Sequence, residues 1–162
     1  MNLTLDEKDC ILLNFLQDNA RMTSAELGKQ VDLSPSGVQK RLRKLEENGV
    51  VEKYVTVINR AQLGYDLVVF VQVTLHGHTP ELVAQFDAAM LAMPDVLECH
   101  RVTGGADYLL KVVVADHQHL DHFLMNKLLP LPSVERVMSN LVLKAVKETT
   151  SLNLMEAAQD MS

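Results

Sequence analysis

Three things are scarce in this chain of 162 residues: cysteine, long apolar runs and an excess of positive charge. The two cysteines, Cys10 and Cys99, lie far apart with no metal-ligand spacing around either. A disulfide framework and a cysteine-based metal site are thereby excluded, and each reads as a small buried residue. No apolar stretch approaches the roughly 18 residues that a membrane helix needs. The first ten residues, MNLTLDEKDC, carry acids where a signal peptide needs a basic start and an apolar run, so a cytoplasmic protein with no membrane partner is expected. The net charge of −6 excludes a coat of uniform positive charge, yet it is unevenly spread. Residues 1–60 hold nine Lys+Arg against nine Asp+Glu, so the whole deficit falls after residue 60. That asymmetry suggests two modules, and local patches rather than totals set affinity for phosphate. An apolar content of 48% with 22% charged residues is enough for packed cores and argues against general disorder.

What is present is one strongly marked helix, LSPSGVQKRLRKLEENGV, from Leu33 to Val50. Ser34 suits the N-cap, Pro35 the first helical position, and Gly49 the stop. At helical spacing Val38, Leu42 and Leu45 fall in one narrow sector and must face a core. Ser36, Lys40 and Arg43 fall opposite, with Gln39 beside them. Between Leu33 and Leu45 stand Lys40, Arg41, Arg43 and Lys44 and no acid. An apolar back with a short polar and basic front suits the DNA major groove, and a basic solvated face is the plainer alternative.

Two helices are expected before it. Residues 3–20 form the first, opened by Thr4 with Glu7 as a capping box and buried through Cys10, Leu12, Leu13 and Leu16. A second box, Thr23 with Glu26, opens a short helix carrying Leu27 and Val31 one turn apart. Asp32-Leu33 then turns into the basic helix. Three short helices with only a turn between the last two form the helix-turn-helix pattern, against the alternative of an ordinary small helical bundle. Val50–Ile58 is rich in β-branched residues and is expected to leave the helix as a strand or short hairpin, the wing of a winged motif. This gives a DNA-binding domain over 1–58 and a linker over 59–66.

After the linker the periodicity alternates between strand and helix. Leu67–His76 reads as a strand with Val69, Val71, Val73 and Leu75 on one side. Thr79-Pro80-Glu81 opens a helix to Met93, buried through Leu82, Val83, Phe86 and Met90. Val96–Thr103 and Tyr108–Ala115 form a hairpin across Gly104-Gly105. Asp116 caps a helix through Leu128, and Val134–Val146 is the last strand. The order β-α-β-β-α-β is the ferredoxin-like arrangement, two helices on one face of an antiparallel sheet, spanning 67–152, with a loose tail over 153–162. The fold class is therefore α+β. One sheet face should remain open, and Val69, Val71, Val73, Leu110, Val112 and Val114 are assigned to it. A second copy packed on that face would make a two-fold homodimer and present two basic helices to half-sites about one DNA turn apart.

Other chemistry is poorly supported. His117, His119 and His122 cluster with Asp116 and Asp121 near one helix start, and His76-Gly77-His78 ends a strand, but no ligand set has convincing metal spacing. There is no activated serine or cysteine signature and no phosphate-cradling loop, so no catalytic residue, metal or cofactor is expected and the protein is not read as an enzyme.

Four blocks in order, LDEKDCILLNFLQDNAR, TSAELGKQVDLSPSGVQKRLRKLEENGVV, GGADYLLKVVV and LLPLPSVERVMSNLVLKAVKETTSL, resemble the Lrp/AsnC family of leucine-responsive, or feast/famine, regulators. The resemblance covers residues 3 to about 152. It implies a DNA-binding head, a ligand-sensing α/β-sandwich, assembly of dimers into tetramers or octamers, and regulation of amino-acid metabolism or transport in response to an amino acid bound at subunit interfaces. Carried over by position, the DNA-binding residues are Ser34, Ser36, Gln39, Lys40, Arg41, Arg43 and Lys44. Gln39, Lys40 and Arg43 suit base edges, whereas Ser34, Ser36 and Lys44 suit phosphate. Arg41, beside the apolar sector, suits a structural or phosphate role better than base reading. Gly37 either lets the backbone approach phosphate or is merely tolerated.

The family's effector residues match Gly104, Gly105, Asp107 and Tyr108, with Val137 and Ser139 at the last-strand positions where many relatives carry hydroxyls. An Asp near such a turn can pair with an α-ammonium while backbone N–H groups meet the carboxylate. Equally, Gly104-Gly105 closes a hairpin and Asp107 caps it. Val137 removes a hydrogen-bond donor, which favours a more apolar amino acid or no effector. The alternative to an effector-modulated regulator is an effector-independent, architectural DNA-wrapping protein.

Overall fold

The computed structural model describes residues 5–154, and its chain divides into two compact units. One runs up to Val57 and takes in the segment from Lys147 onward; the other is Ile58–Val146. Residues 147–152 group with the helical head rather than with the sheet. Gln17 holds that segment there: its Oε1 accepts from the Leu152 amide at 2.7 Å and its Nε2 donates to the Leu152 carbonyl at 3.2 Å. Of the tail expected over 153–162, residues 155–162 lie outside the described residues.

The head contains α1 (Glu7–Asp18), α2 (Ser24–Val31) and α3 (Pro35–Glu47). Thr4 lies outside the described residues, and the cap of α1 is Asp6 instead. The Asp6 carboxylate accepts from the Asp9 amide at 2.8 Å while the Asp9 carboxylate accepts from the Asp6 amide at 3.2 Å, a reciprocal box built from two aspartates. The expected box of α2 is present, with Thr23 Oγ1 accepting from the Glu26 amide and Glu26 Oε2 from the Thr23 amide. Asp32 adopts the left-handed conformation (φ 51°) that ends α2, and Ser34 Oγ accepts from the Gly37 amide to start α3. Leu12, Leu27, Val31 and Val38 form the head's buried core. The strand expected at Val50–Ile58 pairs with no other strand. It carries no regular secondary structure, Val55, Val57 and Ile58 are exposed, and Tyr54 Oη donates to Glu46 Oε1 at 2.9 Å. β-branched residues favour extended backbone, but a strand needs a partner ladder, and the described chain supplies none here.

The second unit opens with a short helical turn (Arg60–Leu63), which occupies part of the expected linker and stops at Gly64 (φ 79°). Then follow β1 (Leu67–Leu75), α4 (Pro80–Ala92), β2 (Val96–Arg101), β3 (Tyr108–Val114), α5 (His117–His122) and β4 (Val134–Leu141). Helix α5 continues through Phe123–Leu128 with a widened, i→i+5 bonding pattern, as the Leu129 amide to Leu124 carbonyl bond shows. The sheet order is β2-β3-β1-β4, every neighbour antiparallel, as the ferredoxin-like reading requires. The last strand is shorter than expected. It ends at Leu141 rather than Val146, and Leu143 and Val146 are exposed.

One assignment from the sequence is reversed. Val69, Val71, Val73, Leu110, Val112 and Val114 do not form the open sheet face; they are fully packed against Phe86, Met90, Phe123 and Leu128 of the two helices. The residues alternating with them turn the other way: Phe70 opposite Lys111, Gln72 opposite Leu109 and Met138. Phe70 (37% exposed), Met138 (50%) and the half-buried Leu109 are large apolar side chains in the middle of that face. Side chains on a strand alternate with a period of two, so the most apolar set belongs under the helices and the mixed set faces away.

Candidate nucleic-acid interface and ligand site

Helix α3 carries two chemically distinct faces. Val38 and Leu45 are buried, with Leu42 packed alongside the head core. Ser36, Gln39, Lys40, Arg43 and Lys44 are exposed. Among the described residues, the side chains of Gln39, Lys40, Arg43 and Lys44 make no hydrogen bond or ion pair, so their polar ends are free for an external partner. Ser34 and Ser36 stand at the helix N-terminus with their hydroxyls 3.0 Å apart. Unsatisfied N–H groups and the positive end of the helix dipole favour an anion there.

Arg41 is placed differently from its neighbours. Its Nη1 lies 2.6 Å from Asp6 Oδ2 and 2.8 Å from Asp9 Oδ1, the two carboxylates that cap α1. Burial pushes the Asp6 carboxyl up, but the Asp9 amide and the Arg41 guanidinium outweigh it and hold the group below the usual carboxylate range. Arg41 therefore fastens α3 to the start of α1, which is the structural role its position beside the apolar sector suggested. The turn before α3 depends on Gly28, a residue the sequence reading passed over. A Cβ there would lie 2.4 Å from the Leu33 carbonyl oxygen. The signal was available: a glycine inside SAELGKQV costs helix stability unless something needs the space.

The candidate effector residues do not all converge. Gly104 has φ 127°, a conformation for glycine, and the loop is closed by the Val102 amide donating to the Asp107 carbonyl at 2.9 Å. Asp107 is anchored beside β1: its amide donates to the Val73 carbonyl, and its Oδ2 accepts from the Leu75 amide at 2.8 Å. Its Oδ1 lies 2.6 Å from Nε2 of His78. The Leu75 amide and then His78 hold the Asp107 carboxyl below its ordinary value. Arg136 Nη2 reaches the Gly105 carbonyl at 3.4 Å, bringing a cation to the same turn.

Tyr108 points the other way. It is buried, its ring centroid 4.5 Å from that of Phe86, and its hydroxyl donates to Asp87 Oδ1 at 2.8 Å. Burial, then the Asp87 contact, pushes that phenol up to about 12. Tyr108 lines a separate open cleft of roughly 470 Å³ between α4 and β2, together with Asp87, Met90, Cys99 and Arg101. Val137 and Ser139 lie opposite Val73 and Val71 on β1; Val137 packs against the core and Ser139 is exposed. Thus Gly104, Gly105 and Asp107 share one turn, joined by His78 and Arg136, whereas Tyr108 belongs to the helix side of the sheet. His78 was visible in the sequence only as half of a histidine pair suggesting metal. His119 turns back on its helix cap, Nδ1 2.9 Å from Asp116 Oδ1, and among the described residues no group of three His, Cys, Asp or Glu side chains converges as a metal site would need. Among those residues no helix is long and apolar enough to cross a membrane.

Comparison with known proteins adds independent findings. A winged helix-turn-helix DNA-binding model matches residues 5–52, and an Lrp/AsnC ligand binding domain model matches residues 68–152. The leucine-responsive regulatory protein of Salmonella typhimurium is 38% identical over 148 residues, covering 91% of this chain and 90% of that protein. The protein of the same name from Escherichia coli K12 is 37% identical over 148 residues, with the same coverage of each. A transcriptional regulator of Neisseria meningitidis solved in complex with L-Met superposes with a TM-score of 0.92 at 36% identity, covering 95% of this chain and 99% of that one. An AsnC family transcriptional regulator from Agrobacterium tumefaciens gives 0.88 at 30% identity, covering 94% and 99%.

Proposed function

This chain belongs to the Lrp/AsnC family of DNA-binding transcriptional regulators, which are not enzymes, and from that premise we propose that it is a sequence-specific regulator whose DNA binding is modulated by an amino acid. The observation that carries the reading is α3, which buries Val38 and Leu45 while leaving Gln39, Lys40 and Arg43 exposed and unpartnered among the described residues. In the major groove Arg43 and Lys40 would meet guanine O6 and N7, and Gln39 adenine, while Ser34, Ser36 and Lys44 hold the phosphates. The protein acts as a homodimer in this proposal, joined through the sheet face of Phe70 and Met138, with higher assembly of dimers. Two copies of α3 then read two half-sites. It works in the cytoplasm on genes of amino-acid metabolism or transport.

The effector site is the Gly104–Asp107 turn. An α-ammonium fits the Asp107 carboxylate, and Arg136 and the turn's N–H groups suit the α-carboxylate. Because the Neisseria relative was solved with L-methionine, methionine is the first ligand to try. The test is selection of bound duplexes from a random library, followed by footprinting of the selected site with each of the twenty amino acids. A footprint altered by one or a few amino acids is expected. Sequence-indifferent protection would refute the specific reading. Unchanged footprints throughout would instead support the architectural reading, which the core packing of Val137 favours, since a hydroxyl at that position is missing.

A further inference from the structure

We infer that His78 is an internal competitor for the effector's ammonium group, a specificity-determining residue that sets how tightly an amino acid binds at Asp107. The inference rests on the effector reading above. Asp107 has two carboxylate oxygens, and both are engaged. Oδ2 takes the Leu75 amide at 2.8 Å, a bond to backbone inside the sheet that fixes the carboxylate's orientation. Oδ1 is the other oxygen, and Nε2 of His78 holds one of its lone pairs at 2.6 Å. An ammonium seeking a charge-assisted bond at Oδ1 therefore meets the imidazole as a rival donor on the same oxygen.

The two groups are built for exchange. The Asp107 side chain is 20% exposed and tied to β1, whereas the His78 side chain is 59% exposed. It sits on the short connection between the end of β1 at Leu75 and the start of α4 at Pro80. Its neighbour Gly77 has only the Leu82 side chain near the place a Cβ would take, at 3.5 Å. The imidazole can swing away without moving the sheet. The other charges near Asp107 come from β2 and β4: Arg101 acts on its carboxylate through space, and Arg136 Nη2 contacts the Gly105 carbonyl. Neither donates a hydrogen bond to Oδ1, so the contest at that oxygen is between His78 and the ligand. A des-amino carboxylate makes no such claim on Oδ1 and is indifferent to His78.

The test is calorimetric titration of the full chain, as wild type and as the His78→Ala, His78→Phe and His78→Lys variants, with L-methionine and with its des-amino analogue 4-(methylthio)butanoate. The position is exposed, and three substitutions of different size guard against a folding defect in any one. Exposed ion pairs are worth little, so His78→Ala and His78→Phe should bind L-methionine about three- to fivefold more tightly. His78→Lys places a fixed cation on the carboxylate and should bind it at least threefold more weakly. Any binding of the analogue should be unchanged in all four proteins, which a merely structural role for His78 would not give. Equal methionine affinity across the four proteins, or a gain shared by the analogue, overturns the inference and leaves the effector reading intact. No binding of L-methionine by any of the four, nor of the other nineteen amino acids titrated in the same way, overturns both.

Discussion

Replacing Gly28 by Ala is the sharpest test of how the recognition helix is set in place. The ideal Cβ would sit 2.4 Å from the Leu33 carbonyl oxygen, whereas ordinary contact begins at 3.4 Å. The offending atom is backbone, one residue before the cap of α3, so no side-chain rotation relieves the clash. Leu33 is also bonded to Gly28 itself, its amide donating to the Gly28 carbonyl at 3.0 Å. The turn must open by about 1 Å, and forcing an extra methyl into a packed site costs about 1–3 kcal/mol. Alanine's better helix propensity returns at most about 1 kcal/mol. The net expectation is a loss of about 1–2 kcal/mol, felt by α2 and α3 together. Val38, fully buried and 3.7 Å from the same Cβ, anchors α3, so the helix moves with the turn. Hydrogen exchange of the full chain reads the opening free energy at the amides of Leu27–Val38. Gly49→Ala is the control, because nothing lies within 4 Å of its Cβ and only the φ of 70° is strained. Protection in α2 and α3 that is equal or higher in Gly28→Ala would refute the close-approach argument. Undiminished DNA affinity together with lowered protection would keep the close approach but detach the turn from the readout.

Other expectations follow from the same head. Arg43→Ala should cost about 1–3 kcal/mol on the selected site and less on random duplex, measured by fluorescence anisotropy; equal losses would make it a phosphate contact. Lys44→Ala should weaken both alike and lower the slope of log affinity against log salt by about 1. Because the Asp6 carboxyl is held low in the folded head, it contributes stability that is complete above the unfolded carboxylate range, near pH 4, and is lost as pH falls through its folded value. Arg41→Ala should therefore lower the melting temperature at pH 7 and flatten its acid-side decline between pH 4 and 2; a parallel decline in both proteins would remove Arg41 from the account.

Much of this architecture is legible because its signals are local. Ser34, Pro35 and Thr23 with Glu26 mark helix starts through bonds to residues within a turn, and both starts are found where they were expected. The β-α-β-β-α-β order follows from changes of period and from Gly and Pro between elements. What failed depends on partners distant in sequence. Val50–Ile58 has strand composition, but composition does not supply a neighbouring ladder. The assignment of Val69, Val71 and Val73 to the open face failed because alternation shows which residues share a side, not which side the helices take. Burial decides that, and the more apolar set goes under the helices. Asp107 and Tyr108 were grouped because they are adjacent, yet adjacent residues at the edge of a strand point to opposite faces. One meets His78 and the other Asp87.

The recognition helix shows the same limit from the other side. Position alone gives Ser34, Ser36, Gln39, Lys40, Arg41, Arg43 and Lys44 a common role, and the geometry divides them. Arg41 spends its charge on Asp6 and Asp9, which are also the reciprocal cap of α1. A guanidinium held by two carboxylates about 2.7 Å away has little positive field left for phosphate, so its contribution to binding passes through the orientation of α3. The capping box of α1 thus does two things at once, starting one helix correctly and fixing the roll of another about its axis. If that is how Gln39, Lys40 and Arg43 are aimed, then Asp9→Asn, which keeps the size but removes a charge from the Arg41 clasp, should reduce discrimination between selected and random duplex. A substitution on the exposed front of α3 that removed only a phosphate contact would leave that ratio unchanged.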